Sequence, residues 1–166
     1  MKTTFGNKPV TIIGEQVKVG DLAPEFKAVN TDLSVYNSTE DKGKVVVYSV
    51  VPSVDTPVCD IQTRTFNEKV EELGKDVKII TISVDLPFAQ QRYCASKGIE
   101  NVVVVSDYNG HDFGKKYGFL MEENMLLQRG IIIVDRDGKI TYTEYVSEST
   151  NAVDFDKAFE EIKKLN

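Results

Sequence analysis

The stretch Val45-Val46-Val47-Tyr48-Ser49-Val50-Val51-Pro52-Ser53-Val54-Asp55-Thr56-Pro57-Val58-Cys59 decides the fold. Val45 to Val51 is a short, nearly continuous apolar run, which reads as a strand buried on both faces. Pro57 sits without cost only at the first turn of a helix, where its missing N–H is not needed. Thr56, just before it, is a good N-cap residue. Cys59 then falls inside the first helical turn. Backbone N–H groups there are unpaired and the helix dipole is positive, so a thiolate is favoured over a thiol. A cysteine held in this way is disposed to nucleophilic attack.

The same reading extends outward in both directions. Toward the N-terminus, Thr3–Phe5 and Val10–Ile13 flank Gly6-Asn7-Lys8-Pro9 and predict a hairpin. Asp21-Leu22-Ala23-Pro24 is a loop, and Phe26–Val29 and Leu33–Tyr36 are short strands around Thr31-Asp32. Toward the C-terminus, the helix opening near Thr56 is expected to run to about Leu73 and stop at Gly74. Val77–Val84 is a second apolar strand, Pro87 opens a helix to about Lys97 with Gly98 as its stop, and Val102–Val105 is a third strand. A short helix covers Phe113–Tyr117 and ends at Gly118. Gly130–Val134 and Ile140–Tyr145 flank Asp135-Arg136-Asp137-Gly138, and Asp-Gly between two β runs signals a hairpin. Phe155, Ala158, Phe159, Ile162 and Leu165 repeat at helical spacing and predict a closing amphipathic helix.

Alternating strands and helices, then a hairpin and a last helix, predict an α/β fold: a mixed central sheet flanked by helices on both faces, preceded by an N-terminal β-hairpin. Active groups in such sheets gather at the carboxyl ends of central strands. Pro52 to Cys59 lies at that position. No repeat, low-complexity tract or composition break interrupts the chain. Residues 1–166 therefore read as one domain, with 1–20 as a hairpin extension.

Composition narrows the chemistry. The net charge of −6 disfavours nucleic acid or an anionic membrane surface as partner. No apolar run is long enough to span a bilayer, and Met1 to Lys8 lacks the apolar segment of a signal peptide. A cytoplasmic location is the expectation. Two cysteines in an unexported chain are not expected to form a permanent staple. Cys59 and Cys94 lack zinc spacing, and His111 is the only histidine, which argues against a closed metal site and against a Ser-His-Asp hydrolase. The chemistry must run on sulfur, carboxylates, hydroxyls and Arg or Lys.

Taken alone, each residue also has a plainer reading. Free cysteine is among the most buried residue types, so Cys59 and Cys94 could both be inert core. Thr56 is first a helix cap, and Arg129 reads as a surface or ion-paired arginine in an acidic chain. Asp55 and Asp60 should point away from the sulfur, since a nearby carboxylate would disfavour the thiolate. Tyr36, Phe88, Tyr93 and Phe119 read as core, His111 as exposed, and Glu122-Glu123 as solvated loop.

Pro52-x-x-x-Thr56-x-x-Cys59 resembles the active-site signature of peroxiredoxins. Ser53-Val54-Asp55-Thr56-Pro57-Val58-Cys59, together with Asp85-Leu86-Pro87-Phe88-Ala89-Gln90-Gln91-Arg92-Tyr93-Cys94, resembles the bacterial thiol peroxidase branch, the atypical 2-Cys peroxiredoxins. Gly20-Asp21-Leu22-Ala23-Pro24-Glu25-Phe26 and the N-terminal hairpin fit that branch too. The resemblance implies a thioredoxin-like fold and reduction of hydrogen peroxide and organic hydroperoxides, with thioredoxin as reductant. It implies a homodimer and no metal, haem or flavin. It also implies that Cys59 is the peroxidatic cysteine and Cys94 the resolving one, joined in a redox disulfide, with Thr56 and Arg129 in support.

On that basis roles can be assigned. The Cys59 thiolate attacks one peroxide oxygen and the other leaves. Thr56 holds peroxide or thiolate through its hydroxyl, and the N–H groups of Val58 and Cys59 are candidate donors. Arg129 opens a strand expected beside the active-site strand and supplies fixed positive charge. Pro52 shapes the exit from the strand and shields the site from water. The resulting sulfenic acid condenses with Cys94. Two cysteines on two formed helices are not expected to meet disulfide geometry, so local unwinding is expected in the cycle. Three other readings compete: a thiol–disulfide exchange enzyme, disfavoured by the lack of Cys-x-x-Cys; a redox-responsive binding module; and an inert structural domain.

Overall fold

Gly6 and Asn7 carry φ values of 60° and 64°, the backbone a two-residue hairpin turn needs and one that Gly and Asn tolerate. They join β1 (Thr3–Phe5) to β2 (Lys8–Val10), with Thr3 opposite Val10. The turn is therefore shorter than Gly6–Pro9, and Lys8 and Pro9 belong to the strand. The chain breaks again at Thr11, so Val10–Ile13 is not one strand: β3 (Ile12–Ile13) pairs elsewhere. The computed structural model describes residues 3–74 and 76–165.

β4 (Lys27–Asn30) and β5 (Val35–Asn37) pair antiparallel. β6 (Val45–Val50) is buried at every position. α1 (Pro57–Lys69) follows, and its tail tightens into a 3-10 turn, Val70–Glu72, so the α-helix proper stops before Leu73. β7 (Val77–Ser83) is buried apart from half-buried Lys78. α2 (Pro87–Lys97) ends on Gly98 in the left-handed conformation, and β8 (Val103–Ser106) comes next. β6, β7 and β8 run parallel, and their lack of in–out alternation follows from cover on both faces. α3 (Asp112–Tyr117), β9 (Leu120–Met121), β10 (Gly130–Val134), β11 (Ile140–Tyr145) and α4 (Phe155–Lys164) complete the chain. β9 pairs with β3, a contact between distant segments that no local pattern announces.

The main sheet has the order β11-β10-β6-β7-β8-β4-β5, parallel at its centre and antiparallel at both edges. α1, α2 and α4 cover one face through Phe66, Tyr93, Ala158 and Ile162. α3 covers the other, where Phe26, Tyr48, Phe113, Tyr117 and Phe119 pack together. Phe26 and Phe113 meet edge to face at 4.9 Å between ring centroids. The expected mixed sheet, flanking helices and N-terminal hairpin are all present.

Gly130 has no room for a side chain. A Cβ there would lie 2.1 Å from the Glu144 carbonyl oxygen and 2.6 Å from the Phe119 ring. The close approach fixes the start of β10, and with it Arg129 one residue earlier.

Candidate active site

Thr56 has extended backbone (φ −87°, ψ 148°) and its hydroxyl oxygen accepts the Cys59 N–H at 3.2 Å. Pro57 is the first helical residue, as the sequence predicts. The Cys59 N–H is thereby engaged by the cap, and it is not free to serve as a peroxide donor in this conformation. Pro52 is buried where the chain leaves β6. Cys59 is buried too, with none of its surface exposed.

Arg129 reaches the sulfur from the residue just before β10, the strand beside β6. It is not the surface or ion-paired residue expected from its sequence context: only 1% of its surface is exposed. Its guanidinium spreads over three acceptors. Nη2 donates to Cys59 Sγ at 3.1 Å, Nη1 to Gln62 Oε1 at 2.9 Å, and Nε to the Ser149 carbonyl at 2.9 Å. Gln62, one helical turn after Cys59, is fixed by donating Nε2 to Ser49 Oγ at 2.8 Å. Among the described residues no carboxylate pairs with Arg129. A buried cation needs compensating charge nearby, and of its three partners only the Cys59 sulfur can carry it. The guanidinium therefore puts a fixed positive charge and a hydrogen-bond donor directly on that sulfur.

The carboxylates nearby are turned to other work. Asp60 accepts the Tyr93 hydroxyl at 2.7 Å and pairs with Arg64 at 3.1 Å, while Asp55 is exposed. Asp60 is thereby held by partners other than the sulfur, as electrostatics requires. A groove of about 460 Å³ opens between α1 and α2, lined by Thr56, Pro57, Asp60, Arg92, Tyr93 and Ser96. Tyr36, Tyr93 and Phe119 are buried, but Phe88 stands 61% exposed and is not core.

Cys94 lies in the last turn of α2, half-buried against the cluster that contains Cys59. Burial pushes its thiol above the usual cysteine range. Both thiols are free, and both helices are formed. Thus Cys59, Thr56 and Arg129 converge, with Pro52 at the strand exit, whereas Cys94 waits on the next helix. Sequence reasoning missed three groups. Gln62 was legible, because it shares the face of α1 with Cys59. The Ser149 carbonyl was not, because it comes from a loop remote in the chain. Asp85 was quoted within a motif but given no role; its carboxylate binds Ser53 and Val54 of the loop before Thr56.

Residues 18–162 match the Redoxin family. The chain is 50% identical over 161 residues to the thiol peroxidase of Oceanobacillus iheyensis, covering 97% of this chain and 98% of the relative. It is 47% identical to the thiol peroxidase of Bacillus subtilis, covering 98% and 96%. Its fold superposes on the crystal structure of a peroxiredoxin-like protein from Aquifex aeolicus with TM-score 0.92 and 39% identity, over 99% and 97% of the two chains. The thiol peroxidase from Chromobacterium violaceum, at 22% identity and TM-score 0.87 over 99% and 96%, shares the fold. On its thioredoxin-like fold and its full-length likeness to these relatives, the chain belongs to the Redoxin family and, within it, to the thiol peroxidases.

Proposed function

We propose that Cys59 is the peroxidatic cysteine of this thiol-dependent peroxidase and Cys94 the resolving one. The observation that carries the reading is the buried guanidinium of Arg129, 3.1 Å from the Cys59 sulfur and without a carboxylate partner among the described residues. The Cys59 thiolate attacks one oxygen of a hydroperoxide. The O–O bond breaks, the attacked oxygen stays on sulfur with the hydroperoxide's own proton as a sulfenic acid, and the other oxygen takes a proton from solvent and leaves as alcohol or water. Arg129 stabilises the charge moving from sulfur to oxygen. Thr56 holds the helix start that presents the sulfur, and Pro52 walls the site from water.

Cys94 then condenses with the sulfenic acid. The thiolate is the attacking form of a cysteine, and burial in the intact helix works against it. Unwinding at Cys59, at Cys94 or at both would expose that thiol and bring the two sulfurs into disulfide geometry. A dithiol reductant, thioredoxin, restores the pair. The exposed apolar side chains of Leu86 and Phe88 support a homodimer. The two free thiols support a reducing, cytoplasmic location. The family match beginning at residue 18 supports one domain over 1–166 with 1–20 as a hairpin extension.

Steady-state peroxide consumption with a thioredoxin system tests the roles. The unsubstituted chain should turn over, Cys59→Ser should not, and Cys94→Ser should stall after one oxidation. Sustained thioredoxin-supported cycling by Cys94→Ser would remove the resolving role. Absence of turnover in the unsubstituted chain would favour the redox-responsive binding module.

A further inference from the structure

Asp85 makes no contact with the Cys59 sulfur, yet its carboxylate is fully engaged. Oδ1 accepts the Ser53 hydroxyl at 2.7 Å, and Oδ2 accepts the Val54 N–H at 2.8 Å and the Ser83 hydroxyl at 2.6 Å. Asp85 sits in the turn between β7 and α2, two residues before the helix that carries Cys94 begins at Pro87. Ser53 and Val54 belong to the loop that leads into α1 and Cys59. The Ser53 carbonyl accepts the Thr56 N–H at 3.4 Å, and Thr56 in turn caps Cys59. From behind, Gln90 of α2 donates to Ser83 Oγ at 3.0 Å. One carboxylate thus ties the starts of the two cysteine-bearing helices together.

We propose that Asp85 is a positioning residue that sets the balance between a closed loop, in which Cys59 meets Arg129, and an open one, in which Cys59 joins Cys94. The inference rests on the Cys59–Cys94 pairing proposed above. Arg129 lies just before β10, on one side of β6, whereas α2 packs over β8, beyond β7 on the other side. To reach Cys94 the Cys59 sulfur must leave the guanidinium, and the start of α1 must move with it. That movement pulls Ser53 and Val54 off the Asp85 carboxylate. In the chemical step, the Cys59 sulfenic acid gives up its hydroxyl and Cys94 its thiol proton. Water leaves, a sulfur–sulfur bond forms, Cys59 is reduced from the sulfenic state and Cys94 is oxidised.

The two half-reactions make opposite demands on the loop. Peroxide attack follows the closed fraction, which is near unity, while disulfide formation follows the small open fraction. Asn in place of Asp85 keeps the size but removes the charge, so the Val54 N–H and the serine hydroxyls lose the charged acceptor that holds them. Losing a hydrogen bond to a charged acceptor raises the open fraction about tenfold.

The test is rapid mixing of Asp85→Asn with hydrogen peroxide, followed by quenching and mass spectrometry of both cysteines. Cys59 oxidation should stay within about twofold of the parent, while disulfide formation runs about tenfold faster. Sulfinic acid at Cys59, which forms when a second peroxide outcompetes Cys94, should need correspondingly more peroxide. Ser53→Ala, which removes one hydroxyl donor to the carboxylate and leaves the carboxylate itself, should shift both readouts the same way by less, and it carries the test should Asp85→Asn fail to fold. Disulfide formation unchanged or slowed in the folded variants overturns the inference, as does an equal slowing of both steps. If the unsubstituted chain forms no Cys59–Cys94 disulfide, the pairing itself falls and this inference with it.

Discussion

Arg129 shows how much one side chain depends on its anchors. Its fork spans the sulfur, the Gln62 amide and the Ser149 carbonyl, so charge and direction are both fixed. A lysine retains the charge but offers no planar fork. Arg129→Lys should therefore slow Cys59 oxidation about a hundredfold, as loss of a pre-aimed donor does elsewhere, and stopped-flow oxidation measures it. A rate within a few fold of the parent would reduce Arg129 to a source of bulk charge. At this scale the residues that define the helix start were readable. Thr56, Pro57 and Cys59 carry their roles in local backbone chemistry, which sequence encodes directly. The burial of Arg129 was not readable from Gln128-Arg129-Gly130, because its partners come from α1 and from the loop after β11. The one local clue was Gly130, which only a close approach requires.

Among the elements, α3 is capped from outside itself. His111 precedes it with a left-handed φ of 53° and gives no side-chain cap. Instead Asp107, just after β8, accepts the Phe113 N–H at 2.9 Å and the Gly114 N–H at 2.8 Å. Burial pushes Asp107 up to about 6, against hydrogen bonds from Gly114 and Phe113 that pull it down. In the unfolded chain it would titrate near the ordinary 3.8. Between those values the folded protein holds a proton that the unfolded chain has released. Its contribution to stability is therefore full below about pH 4 and is lost as pH rises through about 6, a loss of roughly 3 kcal/mol. Urea unfolding across that window should show the decline, and Asp107→Asn should flatten it. A slope unchanged by the substitution would assign the titration to another group. Elements with strong terminators were readable: Pro87 and Gly98 bound α2, and Gly118 ends α3. The short pieces were not. β3 and β9 exist only because the fold brings them together, and Thr11 breaks a run that reads as one strand.

At the scale of the whole molecule, the alternation of buried strands and helices was enough to give the mixed sheet and to put Pro52–Cys59 just past the carboxyl end of a central strand, β6. The order of the edge strands was not, since β4 and β5 join the sheet beside β8 although they precede β6 in the chain. The homodimer reading predicts a mass in solution of twice the 18.6 kDa of one chain. Sedimentation equilibrium checks it, and Phe88→Asp should shift the distribution toward the single chain if the exposed side chain at the start of α2 joins the contact. A single-chain mass at all accessible concentrations would remove the dimer. The chemistry rests on one sulfur beside one guanidinium, and a single-turnover reaction of Cys94→Ser with an equimolar amount of hydrogen peroxide, read by mass spectrometry, isolates that sulfur. One oxygen should be added, on Cys59, at the rate at which peroxide disappears; an unmodified Cys59 after the peroxide has been consumed, or oxygen on another residue, would rule Cys59 out as the attacking group.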